Sequence, residues 1–163
     1  MLLNGSAPLP LLYVSDTQIN FYVPPSATQG SATLTVATPS GAKATAAVNV
    51  VPVQPGIFPG GVLHAGTGVS ALTSPVRAGD AIEIYCTGLG PTKTAGSFQE
   101  TVLTPTVFIG AMPVQPIYSG LAPGSLGLYQ VNVQVPAGLA PGIEPLLMSV
   151  DGAHSNQVNI EVQ

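Results

Sequence analysis

The fold of this chain is decided by a stretch in which apolar and polar side chains alternate, Tyr129-Gln130-Val131-Asn132-Val133-Gln134-Val135-Pro136. The three valines point to one side of an extended backbone and the polar residues between them point to the other. This period of two predicts a β-strand with one buried face and one wet face. Proline cannot donate a hydrogen bond to a sheet, so Pro136 ends the strand.

The same pattern occurs earlier, as Thr17-Gln18-Ile19-Asn20-Phe21-Tyr22-Val23-Pro24, with Ile19, Phe21 and Val23 predicted to point inward. The likeness extends beyond the two strands. Gly5, Pro8 and Tyr13 match Gly110, Pro113 and Tyr118 at the same spacing, and residues 48–50 match residues 158–160. Repetition on this scale indicates that one structural unit occurs twice in the chain.

The composition favours short strands joined by tight turns. The chain has 19 glycines and 17 prolines among 163 residues, and 45% of its residues are hydrophobic, which is enough to fill a core. No run of 18 apolar residues is present, so no membrane-spanning helix is predicted. The predicted fold class is all-β, with two tandem immunoglobulin-like β-sandwich domains.

The charge content excludes nucleic-acid binding. Only 6% of the residues are charged, against about 25% in ordinary soluble domains. The basic residues are Lys43, Arg77 and Lys93, and three cations do not form a phosphate-binding patch.

The domain prediction places an incomplete sandwich at residues 1–54, a proline- and glycine-rich linker at 55–61 and a complete sandwich at 62–163. The first copy is incomplete because nothing before Met1 corresponds to residues 62–105. An incomplete sandwich leaves an apolar face and a strand edge open, and such edges recruit another strand. Two sources of that strand stay open at this point: a neighbouring copy of the chain, or a segment upstream in a longer natural chain.

The distribution of charges also suggests an unprotected edge. Residues 1–76 contain only Asp16 and Lys43 as charged residues, whereas exposed strand edges are normally protected by charged side chains.

Several motifs occur in a specific order that covers nearly the whole chain. They are Ala7-Pro8-Leu9-Pro10-Leu11-Leu12-Tyr13-Val14-Ser15, Thr17-Gln18-Ile19-Asn20-Phe21, Pro55-Gly56-Ile57-Phe58, Ile84-Tyr85-Cys86-Thr87-Gly88-Leu89-Gly90-Pro91, Ala122-Pro123-Gly124 and Leu128-Tyr129-Gln130-Val131-Asn132-Val133. This set resembles the uncharacterised C-terminal domain of large secreted proteins of Solibacter-type soil bacteria. Each half also resembles an IPT/TIG-type immunoglobulin-like sandwich, through the segment from Gly79 to Gly88. The resemblance implies export, an extracellular or cell-surface location and a β-sandwich, and it supplies no catalytic residues.

No residue pattern indicates catalysis, a cofactor or a metal site. Cys86 is the only cysteine and alternates with Ile82 and Ile84, so it is predicted to be a small buried apolar residue. His64 and His154 are isolated from each other and from any metal-ligand spacing. The seven carboxylates are spread among turns and outward strand positions, without a pair suited to acid–base catalysis.

The sequence therefore favours a non-enzymatic extracellular structural or adhesive module that forms a fibre with copies of itself, head to tail. The alternative is a carbohydrate-binding appendage of a secreted bacterial protein, in which Tyr22, Tyr85 and Tyr129, assigned to outward positions, stack on a polysaccharide. The residues proposed for the assembly or ligand surface are Leu2, Leu3, Leu11, Tyr13, Ile19, Phe21, Tyr22, Tyr85 and Tyr129.

Overall fold

A computed structural model describes all residues from Met1 to Gln163 and contains strands but no helix. All pairings between its named strands are antiparallel. The predicted all-β fold is therefore confirmed. The chain divides into two compact units, Met1–Pro52 and Val53–Gln163. That both units are of the immunoglobulin-like type stays a prediction.

The first unit consists of a four-stranded sheet and a separate two-stranded ribbon. Its strands are β1 (Leu2–Leu3), β2 (Ala7–Pro8), β3 (Leu11–Val14), β4 (Ile19–Phe21), β5 (Gly30–Ala37) and β6 (Lys43–Val50). The sheet has the strand order β2-β1-β5-β6, and β3 and β4 form the ribbon.

The core of the first unit is small. Only Leu3, Leu9 and Ala32 are buried, and the apolar residues packed against them remain partly exposed. On β5 and β6, Ala32 pairs with Val48 and Leu34 with Ala46, so the apolar residues share one face of the hairpin. That face is covered only near Ala32, since Ala46 is exposed at the next pair. The unit therefore buries little apolar surface for its length, and burial is the main stabilising contribution in a small domain.

The second unit is built from two larger sheets. Its strands are β7 (Gly56–His64), β8 (Ala81–Thr87), β9 (Thr92–Ala95), β10 (Phe98–Thr101), β11 (Thr106–Ile109), β12 (Met112–Val114), β13 (Tyr118–Leu121), β14 (Tyr129–Gln134), β15 (Gly142–Val150), β16 (Ala153–His154) and β17 (Val158–Val162). One sheet has the strand order β7-β8-β14-β13-β10-β9, and the other has the order β12-β11-β15-β16, with β17 also paired to β15.

The two sheets of the second unit enclose one core of 20 buried residues. Strand β14 contributes Val131 and Val133 from one sheet, and β15 contributes Leu146 and Met148 from the other; all four are fully buried. The alternation predicted for residues 129–136 is thus confirmed for its valines. They lie on the inner face of one sheet and pack in the core between the two sheets.

The prediction of a linker at residues 55–61 is wrong. Most of that segment belongs to β7, which pairs with β8 at Ile57 and again at Val62, with an irregularity between them. Ile57 and Val62 are both buried in the core, so the apolar residues on either side hold the segment in the sheet. The proline and glycines form the irregular step instead, and a side chain at Gly61 would lie only 2.9 Å from the carbonyl oxygen of Tyr85.

A hairpin that the sequence interpretation missed is formed by β9 and β10, which are joined by the two residues Gly96 and Ser97. Gly96 has φ of 61°, a left-handed conformation that glycine adopts readily. A Gly-Ser pair between two runs of Thr and other strand formers is a hairpin signal. The polar content of these runs hides the signal, because neither strand shows a clear apolar alternation.

The pairing pattern of the first unit recurs in the second. In the first unit β1 pairs with β2 and β5, β5 pairs with β6, and β3 pairs with β4. In the second unit β11 pairs with β12 and β15, β15 pairs with β17, and β13 pairs with β14. The first unit has no strands equivalent to β7, β8, β9 and β10, and this difference defines its open edges.

Candidate functional site

The ribbon of the first unit has an unusually exposed apolar strand. All four residues of β3 are exposed, with Leu11 46%, Leu12 53%, Tyr13 51% and Val14 59% accessible. Successive side chains of a strand point to opposite faces, so both faces of β3 are open. A run of apolar side chains that is open on both sides is an association surface or an aggregation hazard in soluble proteins.

Neither outer edge of this ribbon is paired with another strand. Strand β3 pairs only with β4, and β4 pairs only with β3. In the second unit the corresponding strands are paired on both sides, because β13 also pairs with β10 and β14 also pairs with β8. The first unit therefore has two sites for a further strand that are occupied in its counterpart.

Little charge opposes association at these edges. The first unit contains Asp16 and Lys43 and so carries a formal net charge of zero, while the net charge of −4 comes from the second unit. Apolar edges without charged side chains are the ones that pair with other chains, and a net charge near zero promotes association.

The structure places the predicted surface residues in three classes. Leu11 and Tyr13 are exposed on β3, and the half-buried members are Leu2, Ile19, Phe21, Tyr22 and Tyr85. Leu3 and Tyr129 are buried, at 5% and 7% exposure, so their assignment to a surface was wrong. Leu3 packs in the small core of the first unit.

The inward position of Tyr129 follows from the strand period. It lies two residues before Val131, so it points to the same face, and its hydroxyl donates a hydrogen bond to the carbonyl oxygen of Gly90. The predicted platform of three outward tyrosines therefore loses one member. Tyr22 belongs to the first unit, and Tyr85 belongs to the second.

The hydroxyl of Tyr85 is hydrogen-bonded to a carboxylate of the protein. Its hydroxyl donates to Oε2 of Glu83 at 3.3 Å, and Oε1 of Glu83 accepts a hydrogen bond from the backbone N–H of Gly66 at 3.2 Å. Burial, followed by the negative charge of Glu83, raises the pKa of Tyr85 above its usual value.

Leu12 and Val14 belong to the exposed surface but were not among the predicted residues. The signal for them was present, because residues 11–14 are four consecutive apolar residues and a half-buried strand would alternate.

Two side chains of types that often act in catalysis or metal binding, those of His64 and Asp80, make structural contacts here. The ring Nε2 of His64 is 2.9 Å from the carbonyl oxygen of Ser74, and Asp80 accepts a hydrogen bond from the backbone N–H of Arg77 at 2.8 Å. His154 is exposed, as predicted from its place after the turn at residues 151–152. No group of three or more His, Cys, Asp or Glu side chains comes together.

Cys86 is fully buried, which confirms the prediction for this residue. Burial raises the pKa of its thiol from 9.0 to about 12, because the low-dielectric core disfavours the thiolate. The thiolate is the reactive form of cysteine, so burial lowers the reactivity of Cys86 in the folded state.

The raised pKa of Cys86 predicts a specific loss of stability in alkali. Below pH 9 the thiol is neutral in both states, and above pH 9 the unfolded chain alone gains the thiolate. The free energy of unfolding should therefore fall by about 1.4 kcal/mol per pH unit between pH 9 and 12 from this group. Urea unfolding at a series of pH values should show a shallower alkaline decline for Cys86→Ala, and equal slopes for the two proteins would contradict the prediction.

The fold and these surfaces define an all-β protein whose second unit is a closed two-sheet structure and whose first unit has open strand edges. No protein-family model matches the chain, and no curated protein is found to be related to it. The resemblance to the Solibacter-type family stays a prediction. The chain forms no helix of the length and apolar character needed to cross a membrane.

Proposed function

We propose that this protein is a non-enzymatic extracellular structural or adhesive module that assembles with copies of itself. In this assembly a strand of one copy pairs with the open ribbon of the first unit in the next copy. The observation that carries the proposal is the state of β3 and β4: exposed apolar side chains on β3, and an edge on each strand that has no partner.

The second unit supplies the pattern for the missing contact. There β8 lies antiparallel to β14, with Ile84 opposite Val131 and Ile82 opposite Val133. The repeat aligns Ile19 and Phe21 of β4 with Val131 and Val133 of β14. A strand that completes the first unit should therefore run antiparallel to β4 and present an apolar residue at every second position.

Such a strand would stabilise the first unit in two ways. Its backbone would satisfy the open edge of β4 with ladder hydrogen bonds, as in other cases of strand addition. Its apolar side chains would cover Phe21, Leu34 and Val48, which are only partly buried around the small core. Burial of apolar surface then contributes about 25 cal/mol per Å².

The expected geometry is a fibre. The acceptor is the ribbon of the first unit and the donor is a different strand, so the contact joins unlike surfaces. Contacts of this heterologous kind repeat from copy to copy unless the rotation closes a ring, whereas contacts between like surfaces close a dimer.

Replacing Leu12 and Val14 together by lysine is expected to prevent assembly. Both side chains are more than half exposed, so the change should leave the fold intact while placing two charges on the association surface. Each charge that must be desolvated should weaken association at least about tenfold. Light scattering after size-exclusion chromatography over a range of concentrations, with electron microscopy, measures the result.

The matched control is replacement of Val69 and Leu72 by lysine. These apolar residues lie in the second unit and have similar exposure, 46% and 43%, so assembly should persist. The original protein must itself form elongated species as its concentration rises. If it remains a dispersed monomer at high concentration, or stops at a closed dimer, the proposed head-to-tail contact does not exist.

A further inference from the structure

A second surface lies on the outer face of the six-stranded sheet in the second unit. It is an open depression of about 240 Å³ lined by Phe98, Tyr118, Pro123, Gln130 and Asn132. We refer to it as the Phe98–Tyr118 depression. It is remote in sequence from the exposed strand β3, and a ligand could bind there whether or not the chain assembles with copies of itself.

The aromatic part of the depression is held in a fixed geometry. The rings of Phe98 and Tyr118 meet edge to face, with centroids 5.7 Å apart and planes inclined at 64°. The hydroxyl of Tyr118 donates to the carbonyl oxygen of Leu121 at 2.8 Å. The end of the Tyr118 ring lies over Gly120, where the Cβ of any other residue would collide with it. An aromatic side chain fixed in this way loses little entropy when a ligand binds.

Phe98 remains half exposed, at 50%, although it belongs to a strand and packs against Tyr118. Gly120 itself is buried beneath the Tyr118 ring, so the open part of this aromatic pair is Phe98. The Phe98 ring, held against Tyr118, is an aromatic surface that the protein itself does not cover.

Polar groups of fixed orientation lie beside the aromatic pair. Nε2 of Gln130 donates to Oδ1 of Asn132 at 2.9 Å, and these two amides lie on the outward face of β14. The contact leaves Oε1 of Gln130 and Nδ2 of Asn132 without a partner inside the protein. One acceptor and one donor are therefore available to a ligand seated on the rings.

We propose that the Phe98–Tyr118 depression binds one neutral pyranose ring of a polysaccharide. A pyranose has a face of C–H groups that stacks on an aromatic ring, and hydroxyl groups at its rim that both donate and accept hydrogen bonds. The depression offers both features side by side, which is the combination of apolar lining and few oriented polar groups found in small-ligand sites.

The charges of the second unit favour a neutral sugar over an anionic one. This unit contains six carboxylates and two cations, and Glu100 lies on the strand next to Tyr118, opposite Gly120. The negative charge of Glu100 contributes to the raised pKa of Tyr118, after the larger effect of burial, so its field reaches the depression. Uronic acids and sulfated sugars would meet repulsion there.

The size of the depression suggests weak binding of one ring at a time. Pockets for drug-sized ligands occupy about 300–1,000 Å³, and this one is smaller. A single sugar ring has about a dozen heavy atoms, so a Kd on the order of 1 mM is expected for one site. Repetition of the site along an assembly would raise the effective affinity for a long polysaccharide.

The test is saturation-transfer difference NMR on the full chain. This method detects weak ligand binding to the protein both as a single copy and as a large assembly. The probes are cellohexaose, xylohexaose, laminarihexaose and mannohexaose at millimolar concentration, with oligogalacturonate as the anionic comparison. At least one neutral probe should receive saturation from the protein, and oligogalacturonate should receive less.

Phe98→Ala should then weaken the signal at least tenfold, and Gln130→Ala should weaken it severalfold. The matched control is Phe58→Ala, because Phe58 is also a strand phenylalanine and is 44% exposed. Thermal unfolding of each variant checks that it is folded. The proposal is overturned if no neutral probe receives saturation, or if binding survives in folded Phe98→Ala and Gln130→Ala at the strength of the Phe58→Ala control.

Discussion

The segment Val53–Gln163, produced alone, is expected to unfold in one cooperative transition, and the segment Met1–Pro52 alone is expected to show none. The longer segment holds a core of 20 buried residues supplied by two facing sheets. The shorter one has three buried residues in its core, Leu3, Leu9 and Ala32. A chain of about 50 residues needs an efficient core or a covalent or metal cross-link to offset its conformational entropy.

Circular dichroism during heating and during urea titration provides the measurement for both segments. For Val53–Gln163 the unfolding free energy should lie in the ordinary range for a single domain, about 5–15 kcal/mol. The full chain is the control, and its main transition should match that of the longer segment. A cooperative transition of monomeric Met1–Pro52 would show that this unit is stable without further strands, and it would remove the physical basis for strand addition.

Replacing Gly88 by alanine is expected to destabilise the second unit by more than about 3 kcal/mol. Gly88 has φ of 75°, which costs a residue with a side chain about 1–2 kcal/mol. A Cβ at this position would also overlap the carbonyl oxygen of Gln54, whose N–H donates to the carbonyl oxygen of Gly88 at 2.8 Å. Relief of this overlap would displace the start of the segment that leads into β7, next to the buried Val53 and Ile57.

Gly79→Ala separates the two contributions to the effect at Gly88. Gly79 has φ of 90°, but a Cβ there would meet no atom within 4 Å. This variant should therefore lose only about 1–2 kcal/mol, the cost of the backbone conformation. Urea unfolding midpoints of the two variants and the original protein provide the comparison. Equal losses at the two positions would show that the contact between Gly88 and Gln54 is not tightly constrained.

Local patterns were sufficient for much of the fold. The alternation of Val131, Val133 and Val135 predicted a strand and its inward face, and all three side chains are buried. The position of Cys86 between isoleucines predicted its burial in the same way. These predictions succeed because successive side chains in a strand point to opposite faces, so the position of a residue along the strand fixes its direction.

Other features depended on contacts that the local pattern does not contain. The proline and glycines at residues 55–61 resemble a linker, yet the burial of Ile57 and Val62 draws the segment into the sheet as an irregular strand. Tyr129 was assigned outward although its position relative to Val131 already places it inward. The first of these errors required tertiary information, and the second did not.

Residue patterns alone were enough to predict that the chain is all-β, that a structural pattern occurs twice, and that the first occurrence has little charge to protect its strands. The neighbours of each strand could be read only from the folded chain, which shows that β3 and β4 are unpaired on their outer edges and that Phe98 meets Tyr118 beside Gln130. Residue spacing fixes the face of a strand on which a side chain lies, whereas the pairing of distant strands fixes which side chains meet on that face.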